Sequence, residues 1–597
     1  MDIDLEKRVN EAIEQLHKLS IDDIDYAQMD PVAKMMLVAL LNETQKIQDT
    51  IDCIPRKIAE RFCTDFIPHN QMEAIPAVVL LSPTFRPKSN SEMVNVESGA
   101  NFVYRNSAAS KLSLNYIPLF QTVLLPYSDM YVLTPHRLSY KNGSHVINMD
   151  KANYAWIGIT TMAEIDSLKG VSFMITGTQG LQPEHIYVGL DNKAIDFSTM
   201  KSMENIEMLE PFDAQQSSGN FFSFLNEWKE CLMNLDDATL LYLTDETIDR
   251  DLFKPRAYPR VFQQWLEDEV LDCFDQNTLW LKIEYPEGYV VPDHLQVQTN
   301  ILPVVNVDVN SLTLTEASPI AKLQKQDESY FVKILETSSS SHKQGFNMTT
   351  EEIIVRDFDA SCYNNGDLYR DVRYLYNRFI DDYYAFVAYN GIKDGEVQRQ
   401  LRETINKLGK SVGARNAKYK FDSGTYVMKN MNQYPPTTST KVSYMTTRGK
   451  IGNLPQAGEF LENKKLPAIE SKTYVVVSGM GGSDKATADQ RYELLRYYSL
   501  TNDRLYTKMD IEAFLRKEIL KEFGKEEFKR IFIKINVEGT GGKHSLQRGL
   551  YIDIEFKDRK NYEKATSLSF DKLMKQKIDS RSCISMPIIV ELINLDD

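Results

Sequence analysis

No two of the six cysteines (Cys53, Cys63, Cys231, Cys273, Cys362 and Cys583) form a C-x-x-C pair in this chain of 597 residues. Neither a zinc ribbon nor a dense disulfide framework is suggested, and a reducing cytoplasm is the simplest location. Long apolar runs are also missing. The richest, Met35 to Leu41, falls far short of the roughly 18 residues that a membrane span requires. The opening MDIDLEKRVNEAIEQL is acidic and amphipathic, without the basic and apolar regions of a secretion leader. Only eight histidines occur, scattered, and neither H-E-x-x-H nor G-x-S-x-G is present. Zinc and serine hydrolase chemistry therefore lack local support. No fixed-period repeat suggests a solenoid or propeller. Positive charge is in deficit, 69 basic against 84 acidic residues for a net −15, which disfavours a broad grip on nucleic acid or an anionic membrane.

What is present suits folded cores. Hydrophobic residues make up 42% and charged residues 26%, and the length predicts about three to five domains. Leu5, Val9, Ile13, Leu16 and Leu19 share one helical stripe. A second stripe runs through Leu37, Leu40, Thr44, Ile47, Ile51, Ile54, Ile58 and Phe62 after the Asp30-Pro31 start signal, with a kink expected at Pro55. Strand patterns follow from about residue 75: AVVLLS at 77–82, Leu112 to Leu125, YAWIGIT at 154–160, VSFMIT at 171–176 and LWLKIEY at 279–285. The last alternates Leu279, Leu281 and Ile283 with Trp280, Lys282 and Glu284, as a half-buried strand does. In ILPVVNVDV at 301–309, Pro303 favours a strand start or an edge.

Helices are expected at 218–235 (Phe221, Leu225, Trp228, Leu232), from Asp367 to Gly391, and over Val397 to Leu408. Ser338 to Ser341 read as a linker, and 430–470 as a mobile arm or extended connector. The last 125 or so residues read as an α/β unit. TYVVV at 473–477 leads into helices capped at Thr487 and Thr507, and IFIKINV at 531–537 pairs with LYIDIEF at 550–556. The fold class is α+β and multidomain: N-terminal long helices over 1–70, strand-rich domains over 71–215 and 216–340, a helical insertion with a basic arm over 341–470, and a C-terminal α/β unit over 471–597.

Three features invite a chemical role. GTGGKHS at 539–545 lacks the first glycine and the following Ser or Thr of a phosphate loop, because Val537 and His544 stand there. It reads as a hairpin loop. GMGGSD at 479–484 lies between strand and helix but lacks dinucleotide spacing, and a glycine turn explains it. Asp357, Asp359, Asp381 and Asp382 are paired carboxylates of the type that holds Mg²⁺, yet no histidine or further acidic motif joins them. A nucleotide- or metal-dependent enzyme is thus a disfavoured alternative. The strongest charge feature is basic: Lys407, Lys410, Arg415, Lys418, Lys420, Lys429, Lys441, Arg448 and Lys450 face a single acidic residue, Asp422. This segment is expected to dock on an acidic protein partner rather than DNA.

Three phrases carry a resemblance. VAKMMLVALLNETQKIQDTIDCIPRKIAERF is followed by FIPHNQMEAIPAVVLL, then by YAWIGI, LKGVSFMITG and IYVGLDNKAIDF, then by VPDHLQVQTNILPVVNVDVNSLTLTEASPI. In order and spacing they resemble the TssF baseplate family of bacterial type VI secretion systems over roughly residues 30–325. Pro68, His69, Ile75 and Pro76 match its first phrase, with Ile67 in place of the usual tyrosine. Asn300, Pro303, Val304, Val305 and Asn306 match its "N-x-x-P-V-V-N" stretch. The C-terminal helices look somewhat like J-type wedge proteins of contractile phage baseplates.

The resemblance implies a structural wedge subunit without catalysis or cofactor. Two TssF copies would associate with one TssG, joined by TssK, TssE and the spike hub protein beneath the contractile sheath. It implies no nucleic acid, no membrane insertion and no metal, and a cytoplasmic place docked near the inner membrane through the secretion complex. A tail or baseplate protein of another contractile particle or phage is the nearer alternative.

Overall fold

The computed structural model describes residues 72–86, 92–97, 99–105, 112–141, 143–147, 152–189, 193–199, 238–246, 253–315, 318–323, 329–340, 353–358, 424–429, 439–538 and 549–595. It also describes isolated positions, among them Val32, Met36, Phe62, Ile67, Trp228 and Lys407. The long helices expected before residue 67 lie outside the described residues except at Val32, Met36 and Phe62, and the one expected over 367–391 lies wholly outside them. Val32, Met36, Phe62, Trp228, Arg399, Glu403 and Lys407 are helical. The class is α+β, with several sheets and a helical C-terminal part.

A closed barrel forms the centre. Its strands follow the order Val78–Ser82, Leu302–Asn306, Ser113–Pro118, Phe102–Arg105, Phe460–Asn463 and Lys472–Met480. Strand Val78–Ser82 has no polar–apolar alternation because both of its faces are buried. Val79 and Leu81 join Phe102, Tyr104, Tyr116, Leu302, Val304, Leu461 and Val475 in one cluster, contributed by all six strands, which fills the barrel. Val78 and Leu80 point the other way, to Met174, Leu240, Tyr242 and Trp228.

Those outer partners belong to the next layer, a four-stranded sheet ordered Phe197–Thr199, Ala238–Leu243, Ser172–Thr176 and Gln296–Thr299. Its opposite face packs Phe173, Ile175, Leu241 and Val297 on Ile157, Ile159, Leu279, Leu281 and Ile283 of a seven-stranded sheet. The expected alternation in LWLKIEY is observed in strand Thr278–Glu284, but its second face is not open to water. Trp280 is buried among Phe262, Phe274 and Tyr131, with ring centroids 4.9, 5.2 and 6.0 Å away. Gly158 makes this possible, since a Cβ there would stand 2.8 Å from the Trp280 ring.

Two three-stranded sheets form a smaller sandwich. One is ordered Asp308–Thr315, Ser439–Thr447, Tyr330–Ser340; the other Ile320–Lys322, Gly424–Lys429, Ile353–Phe358. Leu314, Leu323, Ile353, Val427, Val442 and Tyr444 meet between them. Two expectations are corrected here. Ser338 to Ser340 are not a linker but the end of a strand, laddered to Lys441, Thr440 and Ser439. Much of 430–470 is not an arm: Ser439–Thr447 is the central strand of its sheet and Phe460–Asn463 a stave of the barrel. Backbone pairing satisfies these polar residues, so a serine- and threonine-rich composition gave no sign of burial.

The C-terminal unit packs helices Ala488–Thr501, Lys508–Phe523, Arg559–Ser567 and Phe570–Arg581 with a three-stranded sheet. Both expected capping boxes are present, Thr487 with Gln490 and Thr507 with Asp510. Ile531–Glu538 and Gly549–Phe556 pair antiparallel as expected, and Ile588–Asn594 adds in parallel. The strand containing TYVVV belongs instead to the barrel, where it pairs with Val78–Ser82. The barrel therefore draws its strands from a span of 78–480, across the sequence-contiguous divisions read above.

Candidate functional site

Of the residues singled out by the family phrases, Ile75, Pro76, Asn300, Pro303, Val304, Val305 and Asn306 gather on and beside the barrel. Leu302–Asn306 pairs antiparallel with Val78–Ser82, placing Pro303 opposite Leu80, Val304 opposite Val79 and Val305 opposite Val78. Pro303 is not on an edge but near the strand start. Its carbonyl accepts from the Leu119 N–H (3.0 Å), just past the end of Ser113–Pro118. Its missing donor therefore falls where the neighbouring strand stops. Pro76 offers its carbonyl to the indole N–H of the fully buried Trp228 (2.8 Å). Pro68 and His69 lie outside the described residues, whereas Ile67 beside them is buried in the C-terminal core with Met72.

The two asparagines act as joints. Asn300 has φ 60°, a left-handed conformation that asparagine tolerates better than most residues. Fully buried, its side chain accepts from the Leu125 N–H and donates to the Leu125 carbonyl, both at 2.8 Å. Asn306 donates through Nδ2 to the Asn115 carbonyl (2.9 Å), and its Oδ1 accepts from the Arg448 N–H (3.1 Å). Its own carbonyl accepts from the Thr447 hydroxyl (2.9 Å). One side chain thus ties a barrel strand to the turn that leaves the sandwich.

That turn, Gly449–Asn453, packs on GMGGSD. Asn453 donates to the Gly482 carbonyl (2.8 Å) and accepts from its N–H (3.0 Å). A Cβ on Gly482 would lie 2.5 Å from the Gly449 carbonyl oxygen and 2.8 Å from Ala77 Cβ. The glycine is needed for protein backbone to approach protein backbone. Ile75 and Ser483 exchange backbone hydrogen bonds at 2.9 and 3.0 Å. The buried Tyr116 donates to the Gly452 carbonyl (2.8 Å), and burial pushes its phenol well above the usual range.

From this junction the C-terminal unit is clasped. Lys450 Nζ lies 2.9 Å from Glu522 Oε1, and Lys564 Nζ donates to the Glu522 carbonyl (2.8 Å) at the end of helix Lys508–Phe523. Cations are favoured at that helix end. Lys485 pairs with Glu73 at 3.4 Å. Deeper in the unit, Glu518 meets Lys577 at 2.8 Å and Lys517 at 3.1 Å. Burial pushes Glu518 up, but Lys577, Lys517 and Lys521 together outweigh it and hold its carboxyl well below the usual range. Burial lowers Lys517, which also lies over the Tyr497 ring at 4.5 Å.

The basic residues are not gathered into one patch among the described residues. Lys429 is 8% exposed, on the inward-facing side of its strand. Lys441 is exposed on the first sheet, Arg448 sits at the junction, and Lys450 is committed to Glu522. Lys407 is helical and exposed, while Lys410, Arg415, Lys418 and Lys420 lie outside the described residues. Asp357 is in strand Ile353–Phe358; Asp359, Asp381, Asp382 and the loop 539–545 also lie outside. Among the described residues, no group of three or more His, Cys, Asp or Glu is placed to hold a metal ion, and no helix is long and apolar enough to cross a membrane. Sequence reading missed the Glu522 clasp and the Lys517–Glu518–Lys577 cluster. No local spacing announces either, although Lys517 and Glu518 do stand side by side in a helix pattern.

Among the solved structures that this chain is similar to are chains of baseplate assemblies. One is a chain of the type VI secretion system TssK-TssF-TssG baseplate subcomplex, with 12% identity and a TM-score of 0.42, covering 94% of this chain and 96% of that one. Another is in the baseplate complex from the type VI secretion system, with 11% identity and a TM-score of 0.35, covering 99% and 95%. A third is in the anti-feeding prophage baseplate, with 9% identity and a TM-score of 0.26, covering 98% and 70%. No protein-family model matches the chain, and no curated protein matches it.

Proposed function

We propose that this chain is a structural subunit of a type VI secretion baseplate, acting as a TssF-like wedge component. The observation that carries the reading is the convergence of two family phrases. Ile75-Pro76 leads directly into strand Val78–Ser82, which pairs with Leu302–Asn306 more than 200 residues away in sequence, and the Asn306 N–H donates to the Ala77 carbonyl (2.8 Å) at the same barrel seam. Their hydrogen bonds go to the backbone of neighbouring elements, as expected of a joint that sets the geometry of several domains. TssG and TssK are the proposed partners, with a second copy of the chain, TssE and the spike hub completing the wedge. The subunit would work in the cytoplasm, docked near the inner membrane, without a cofactor.

Co-expression with the products of neighbouring genes tests this. A stable complex with a TssG-like neighbour is expected, with assembly unchanged by Gly542→Ala or Asp381→Asn. A chain that stays monomeric beside every neighbour overturns the proposal. So does saturable thermal stabilisation by a nucleotide or divalent ion.

A further inference from the structure

The second sheet of the small sandwich turns its inner residues Ala321, Val427 and Val355 to the core. Because side chains alternate along a strand, the next positions form an outer face with two cross-strand rows. Ile320, Met428 and Ile354 are in register across the three strands, and so are Lys322, Tyr426 and Arg356. Ile320 is 39% and Ile354 42% exposed, and Lys322 and Arg356 are exposed as well. Single exposed isoleucines are ordinary, but an apolar row beside a cationic row is not scattered exposure. Tyrosine, methionine and arginine are the residue types enriched where protein partners bind. The two rows contain no carboxylate, in a chain whose net charge is −15.

We infer that this face docks a segment of a partner protein that presents carboxylates beside an apolar row. Its apolar side chains cover Ile320, Met428 and Ile354, while its carboxylates meet Lys322 and Arg356 on either side of Tyr426. Arg356 can take a carboxylate through two parallel N–H donors. The inference rests on the proposed assembly role only for the supply of such a partner.

The full chain is titrated with a fluorescent synthetic peptide that alternates glutamate with leucine, and with the same peptide carrying lysine instead of glutamate. The Lys322→Glu/Arg356→Glu and Ile320→Ser/Ile354→Ser variants are compared with Lys193→Glu, at an exposed position of the seven-stranded sheet. Wild type is expected to bind the glutamate peptide about tenfold more tightly than either face variant. Binding should weaken with salt, and Lys193→Glu should bind like wild type. Should the charge reversal disturb folding, Lys322→Ala/Arg356→Ala replaces it, with the same loss expected.

Equal binding by wild type and the charge variants overturns the inference, as does preference for the lysine peptide. Loss of self-association in sedimentation by the face variants assigns the face to a second copy and overturns it too. The peptides need no neighbouring gene product. Peptide binding with failed co-assembly therefore leaves this inference standing while the baseplate proposal falls, and the opposite pair of results does the reverse.

Discussion

The barrel and the C-terminal unit solve the same packing problem in opposite ways. The barrel's six strands come from positions between 78 and 480, and strand Val78–Ser82 finds its neighbours at Leu302–Asn306 and Lys472–Met480. The C-terminal unit is built almost wholly from consecutive elements after Thr487, borrowing Ile67 and Met72 for its core. The barrel adds asparagine-to-backbone bonds to its apolar faces, and the C-terminal unit adds a buried cluster of charges to its apolar core. Long-range pairing makes the barrel hostage to the whole chain, while local pairing leaves the C-terminal unit nearly autonomous.

The sharpest test of that contrast is a pair of core truncations. Phe102→Ala in the barrel and Phe514→Ala in the C-terminal unit, both at fully buried rings, should each cost about 3 to 5 kcal/mol. Limited proteolysis should then cut Phe102→Ala throughout the sheets, but Phe514→Ala only beyond residue 485. Identical cleavage patterns would erase the distinction. Nearly as large is Glu518→Gln, which leaves Lys517 and Lys577 without their buried carboxylate and should cost about 3 to 5 kcal/mol, read as a lowered denaturant midpoint of the C-terminal unit.

Acid should separate the two regions in the same way. Glu518 is held below its unfolded value, so its contribution is complete above the ordinary glutamate range. It is lost as pH falls through the lower folded pKa. Hydrogen exchange on acidification should therefore loosen helices Lys508–Phe523 and Phe570–Arg581 before the barrel, and Glu518→Gln should remove that step. At the alkaline end the raised Tyr116 and Tyr242 phenols of the barrel and its neighbouring sheet contribute stability that is full below about pH 10. It fades as pH rises further. Asn306→Ala should cost about 1 to 3 kcal/mol by stranding its half-buried partners at Asn115 and Arg448, with faster exchange at Arg448. The smallest effect is expected from Lys450→Met. Its partly exposed pair with Glu522 contributes about 0.2 to 1 kcal/mol, so the change should be salt-sensitive and confined to exchange at 481–487.

The same contrast explains which parts could be read from sequence. Strands such as YAWIGIT and VSFMIT, and the two capping boxes, carry their signals within a few residues, and they occur nearly where expected. The hairpin of the C-terminal unit was visible for the same reason. TYVVV reads as part of the C-terminal unit because an apolar strand does not say which distant partner it pairs with, whereas Val475 packs inside the barrel. Ser338 to Ser340 and Thr440 look like loop residues until their ladder partners are known. The family phrases include Asn300 and Asn306 but do not show their physical task. Asn300 needs a left-handed backbone and a clasp on Leu125, neither of which spacing can show. The Lys322–Tyr426–Arg356 row went unseen because its members stand over 100 residues apart until register aligns them.

The closing strand of the barrel has a consequence for how the protein is made. Strand Val78–Ser82 leaves the ribosome early, yet the Lys472–Met480 strand beside it follows about 400 residues later. At about 5 to 20 residues per second this is a wait on the order of 20 to 80 seconds. During that interval one edge of the nascent VVLL segment lacks its partner strand, which is the kind of segment that chaperones hold and that aggregates when they do not.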